Sequence, residues 1–245
     1  ANSQYALRAQ FKLGELDFSL SYFRGRFPFP IAYTAIADVG ASPNAPGIVD
    51  VKYTAEVMYP RMHVLGLDFS YSAPWLLDIG FIGEMAVIFP EKVIFGLRAN
   101  QNGQKLLEMS SENVPSDPFI KASAGIDYTF TKWFYLNTMY VRGFIDEFND
   151  TYGIHNYWVN NMDFKFFDDE LMLRMSSVLS IDDLSATIYP QITWVVKPSV
   201  ELGLGAFVYI GDTQMSDPLD YAAKDKFGQK AVGRSVAYFR TKLYW

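Results

Sequence analysis

Alternation along most of the chain predicts an all-β fold, an antiparallel transmembrane β-barrel with about 11–12 strands in these 245 residues. Three observations carry that expectation. Apolar side chains recur at every second position in segments of about ten residues, the period of a strand with two unlike faces. Connections alternate in length: Thr131-Lys132-Trp133, Phe167-Asp168-Asp169-Glu170 and Lys197-Pro198 are short, whereas 91–118, 144–156 and 211–233 are long. Aromatics gather at strand ends as in an interfacial girdle, with Phe130 and Trp133-Phe134-Tyr135 around one turn and Phe164, Phe166 and Phe167 before another.

Composition removes most other classes. There is no cysteine, which excludes disulfide frameworks, thiolate metal sites and cysteine nucleophiles, and two histidines leave little for zinc chemistry. A net charge of −6 argues against a nucleic-acid partner. A 20% charged fraction is too high for a helical membrane protein, and apolar runs such as 85–89 and 206–210 are far too short to span a bilayer as helices. The 20 Phe, 16 Tyr and 5 Trp exceed what one soluble core normally uses. The first residues have neither a basic region nor an apolar core, so a signal peptide is absent or already removed.

The elements follow in order. A strand is expected near 4–13, and in the next one Leu16, Phe18, Leu20 and Tyr22 oppose Asp17, Ser19 and Ser21. Residues 24–48 form a Pro/Gly-rich loop. Val51, Tyr53, Ala55, Val57 and Tyr59 share a face that continues in phase through Arg61 and His63 into Leu65, so 49–72 reads as one long strand and the total as eleven. A turn at Tyr59-Pro60-Arg61 instead gives twelve, and places the 24–48 loop on the periplasmic side. Strands then run over 77–89, 119–130, 134–143, 157–167, 171–180, 187–196 and 199–210, with Pro190 weakening one of them. The stretch 101–112 is the only helix candidate.

At the C-terminus Ala237, Phe239, Leu243 and Trp245 share one face, against Tyr238, Arg240, Lys242 and Tyr244. This resembles the terminal signal of bacterial outer-membrane barrels, which the assembly machinery reads; Phe239, Leu243 and Trp245 would carry it. Short motifs point the same way: Tyr59-Pro60-Arg61, Leu65-Gly66-Leu67-Asp68-Phe69-Ser70, Gly83-Glu84-Met85-Ala86, Gly125-Ile126-Asp127-Tyr128-Thr129-Phe130, and Gly205-Ala206-Phe207 with Gly211-Asp212. Over about 50–245 they resemble a porin-like proteobacterial outer-membrane family of largely unknown function. The resemblance implies a longer parent chain, so 1–245 is either one complete barrel domain or the C-terminal part of a larger barrel. It also implies, for some members, work with export systems for lipids or hydrophobic compounds.

The candidate site is the polar face. Asp68, Asp78, Glu84, Asp127, Asp163 and Glu201 stand with Lys121, Lys165, Arg174, Arg240 and Lys242, and with Arg8 and Lys12 near the N-terminus, as pore-lining charges. The competing reading is structural ion pairs in a filled lumen. His155 with Asp146, Glu147 and Asp150 reads as an ordinary loop histidine, and His63 faces lipid beside Arg61. Asp146-Glu147, Asp168-Asp169 and Asp182-Asp183 lack calcium-loop spacing. No enzyme, metal or cofactor is expected. The expected function is a Gram-negative outer-membrane porin for small solutes. Alternatives are a transporter or export component for lipids or hydrophobic compounds, and a non-transporting barrel that scaffolds a partner. Expected partners are outer-membrane lipid and lipopolysaccharide, the barrel-assembly machinery, and other subunits or a further N-terminal segment.

Overall fold

The structure, a computed structural model, describes residues 3–42, 49–101, 104–144, 147–148, 153–211 and 235–244. The described residues form fifteen strands: β1 (Tyr5–Leu13), β2 (Leu16–Arg26), β3 (Ile31–Ala41), β4 (Val49–Met58), β5 (Arg61–Ala73), β6 (Ile79–Pro90), β7 (Val93–Gln101), β8 (Gln104–Val114), β9 (Phe119–Thr131), β10 (Phe134–Arg142), β11 (Asn156–Phe166), β12 (Leu171–Ser180), β13 (Ala186–Lys197), β14 (Val200–Ile210) and β15 (Val236–Leu243). Among the described residues there is no α-helix, only a 3₁₀ turn at Pro74–Leu76.

Eleven strands form one antiparallel sheet in the order β1-β2-β5-β6-β9-β10-β11-β12-β13-β14-β15. β3, β4, β7 and β8 form a second sheet, in which β3 and β7 run parallel. Each hairpin of the small sheet is thus an insertion between two adjacent strands of the large one, and both leave from the same end. β10, β12 and β14 end at that end too, and 181–185 joins β12 to β13 there. The opposite end carries only short turns. The short turns read from the sequence thus lie at one end of the large sheet and the 91–118 connection leaves from the other, while most of 211–233 and part of 144–156 lie outside the described residues.

Register lines up continuous apolar rows on one face of the sheet. In one row, Leu136, Met162, Met175 and Pro190 are successive cross-strand partners; in the next, Phe134, Phe164, Leu173, Ile192, Leu204 and Phe239 are. Side-chain period two makes this possible, since a one-residue slip anywhere would reverse a strand's faces. The apolar face is the more exposed one: Leu204 is 53% and Phe239 67% exposed. On the other face Ser19 is fully buried and the Asp163 and Glu201 side chains keep 13% and 15% exposure. A soluble sheet has the reverse arrangement.

Aromatic rings band the apolar face toward the short-turn end. Phe130 stacks on Phe134 at 5.0 Å and Phe134 on Phe164 at 4.8 Å, with Trp133 at 6.4 Å from Phe164. Farther along, Phe11 stacks on Phe18 at 5.1 Å. At the long-connection end, Phe27, Ile31, Ile88, Val93, Val114, Phe119 and Phe148 form the buried apolar cluster, where the inserted hairpins meet the large sheet.

Four expectations need correction. The 101–112 stretch is not helical: its helix-forming residues sit in β7 and β8, held by the β7–β8 ladder and by Arg98, whose Nε donates to Glu108 at 2.9 Å. Nor is 49–72 one strand. Pro60 interrupts it, its carbonyl accepts the Phe27 N–H at 2.8 Å, and β4 joins the small sheet while β5 joins the large one. The large sheet has eleven strands, but not by that route. The described part of the 24–48 stretch, 24–42, holds the end of β2 and all of β3, and it leaves the large sheet at the long-connection end rather than at the short-turn end. Finally, the sheet is open: among the described residues β1 and β15 are edges without a partner. An odd number of antiparallel strands leaves both edges running in the same direction, so pairing them directly would make a parallel seam.

Candidate functional site

The polar face assembles its charges by cross-strand register. Asp163 on β11 faces Arg174 on β12, and the guanidinium donates bidentately at 2.7 and 2.6 Å. Glu201 on β14 faces Lys242 on β15 and holds it at 3.4 Å; it also accepts from Arg240 at 3.0 Å and from the Tyr244 hydroxyl at 3.2 Å. Arg8 reaches from β1 across β2 to Asp68 on β5 at 3.0 Å, and its Nε donates to the buried Ser19 hydroxyl at 2.8 Å. Ser19 in turn donates to Asp68. Lys165 lies 3.7 Å from Asp169 in the turn that follows β11. Lys12 lies 3.4 Å from Asp17.

Carboxylates concentrate on one part of this face. Asp68 and Glu84 are register partners on β5 and β6, with Ser123 next to Glu84 on β9. Asp127 on β9 faces Gly80, and its carboxylate lies where a side chain at Gly80 would begin. Neutral polar groups fill the middle of the sheet. Ser176 donates to Asn161 at 2.7 Å, and Asn161 donates to Asn137 at 3.5 Å, so an amide ladder crosses three strands. Tyr189 and Tyr238 share a hydrogen bond between β13 and β15.

Twelve of the thirteen charges assigned from the sequence lie on this one face. The exception is Asp78, which sits in the β5–β6 turn at φ 59°, next to Leu77 at φ 56°. Alternation runs in phase through the turn and so did not mark where the strand ends. Lys121 is on the polar face but is engaged at its long-connection end, where Nζ donates to the carbonyls of Phe144 and Glu147 and lies 5.9 Å from the Phe27 ring. Of the terminal assembly residues, Phe239 and Leu243 project from the apolar face, and Trp245 lies outside the described residues. Asp146 and Asp150 also lie outside them.

Sequence reading missed two features. Glu147 is a hub: its carboxylate accepts the backbone N–H groups of Phe144 at 3.0 Å and His155 at 3.3 Å and the Tyr157 hydroxyl, and lies 3.1 Å from His155 Nδ1. His155 is thus a tie within this connection rather than a loosely solvated ring. The second is an open cavity of about 630 Å³ beside the buried cluster, walled by Phe23, Phe27, Met62, Val64, Ile88 and Phe148 with Arg26 and Lys121. Its residues are scattered over 4–148, which no linear motif could reveal. Among the described residues no three His, Asp or Glu are grouped as metal ligands.

Comparison of the chain with protein-family models, with curated proteins and with solved structures returned no match.

Proposed function

We propose that this chain forms the wall of a Gram-negative outer-membrane β-barrel and that its polar face borders a passage for small solutes. The inverted polarity of the large sheet carries this reading: an exposed, continuous apolar face backs a sheltered face of ion pairs and amides. Strands of 8 to 13 residues suit a bilayer crossed at a tilt, and the aromatic band suits its interface. The porin-like resemblance of the motifs in 50–245 adds support. Paired carboxylates and guanidinium groups would set a transverse field for passing solutes without strong ion selectivity, because the signs nearly balance.

The test is conductance. Purified protein added to planar bilayers should give ohmic steps in potassium chloride. Absence of steps from protein shown to be inserted would refute the passage.

A second reading, transport of hydrophobic compounds, is favoured by the apolar cavity of about 630 Å³, which falls in the size range of ligand pockets. It predicts little conductance and saturable binding of an apolar dye.

A further inference from the structure

The long-connection end of the large sheet carries a cationic cluster that the polar face does not use. Arg24 on β2 and His63 on β5 are register partners, and one step outward Arg26 faces Arg61. These positions continue the alternation of Leu16, Phe18, Leu20 and Tyr22, so they close one margin of the apolar face. Like charges directly opposite each other weaken a strand pair. Here they are retained, and together they line a pocket of about 180 Å³ with Tyr5, Gln4 and Met62 and, among the described residues, no carboxylate in its wall. The Tyr22 hydroxyl and His63 Nδ1, 2.7 Å apart, fix the imidazole, and Arg26 donates to the Tyr59 carbonyl at 2.8 Å. Glu91 accepts the backbone N–H of Arg61 at 2.7 Å.

We infer that Arg24, Arg26 and Arg61 form a binding site for the phosphate monoester headgroup of a membrane lipid. Planar guanidinium groups match phosphate bidentately, and several converging on one pocket favour a dianionic group over a monoanion. A lipid rather than free phosphate is indicated by what lies beside the pocket: Leu7, Leu20 and Leu65, each half or more exposed, continue the same face and offer a seat for acyl chains. The inference rests on the membrane reading above, which would place this margin at the level of the headgroups.

The experiment uses the full chain in phosphatidylcholine vesicles with spin-labelled phosphatidic acid or spin-labelled phosphatidylcholine as the probe. Phosphatidic acid should associate at least about fivefold more strongly, and the double variant Arg24→Gln/Arg61→Gln should abolish that preference. Arg142→Gln removes a charge from the same margin on β10 and should leave it intact. Equal association of the two lipids overturns the inference, as does an equal loss in Arg142→Gln, which would mark unspecific surface charge. Displacement of the lipid by 10 mM inorganic phosphate would identify a free-phosphate site and also overturns it. Failure of the membrane reading is separately visible, because the chain would then float apart from the vesicles.

Discussion

Asp163 and Arg174 stand directly opposite each other on β11 and β12, joined by two charge-assisted bonds on the sheltered face of a sheet whose other face is apolar. The pair records the polarity of the whole sheet, because the immediate sequence neighbours of both residues, Met162, Phe164, Leu173 and Met175, belong to the opposite face. A double-mutant cycle with Asp163→Asn and Arg174→Met should give a coupling energy of about 1 kcal/mol, reduced from the buried-pair range because Arg174 stays 42% exposed. Urea unfolding of the vesicle-bound protein measures it. Additive single effects would show the pair to be incidental.

The two faces should differ in their tolerance of charge. Leu204→Arg places a cation in the middle of the apolar face and should cost about 2–4 kcal/mol in lipid. Thr187→Arg, on the polar face, should cost under about 1 kcal/mol. The same unfolding assay compares them, and equal costs would remove the distinction between the faces.

Gly125 lies where β9 and β10 approach closely. A Cβ there would stand 2.4 Å from the Thr138 carbonyl oxygen and 2.9 Å from the Met139 Cα, so no side-chain rotation relieves the clash. Gly125→Ala should therefore destabilise by about 1–3 kcal/mol. Gly96→Ala in β7, whose nearest neighbour would be 3.8 Å away, should change stability by under about 0.5 kcal/mol. Equal melting temperatures for the two variants would contradict this packing.

In the small sheet, Tyr33 hydrogen-bonds the Glu56 carboxylate, and that bond, followed by the carboxylate charge, holds its phenol above the ordinary value of 10.0. The protonated phenol is the bonded form. Its contribution to stability is thus complete below the unfolded value and is lost as pH rises through the folded one. Glu56→Gln should move the Tyr33 titration back toward the ordinary value, as read by NMR of ¹³C-tyrosine with Tyr33→Phe for assignment. An unchanged titration would show that Glu56 is not the cause.

What the sequence made legible was the large sheet. The turn Phe167-Asp168-Asp169-Glu170 falls where the structure has it and Lys197-Pro198 falls one residue early, because alternation with a period of two survives wherever one face is apolar and the other polar. Within the small sheet the alternation of β4 was legible, but β3, β7 and β8 were hidden for the opposite reason. Ile31–Ala41 mixes small and apolar residues on both faces, and Gln104–Val114 is rich in helix formers such as Leu106, Leu107 and Glu108. Pairing with β7 overrides that propensity. The charged positions of the site could be read from alternation, but their partners could not. Arg8 meets Asp68 from 60 residues away, and only register brings them together.

The most direct test of the inverted sheet is a nitroxide scan along β14, Val200–Ile210, in phosphatidylcholine vesicles. Oxygen accessibility should peak at Leu202, Leu204, Ala206 and Val208, and accessibility to an aqueous nickel chelate at Glu201, Gly203 and Gly205, in strict alternation. Reversed phase, or the absence of a lipid-accessible set, would contradict the account.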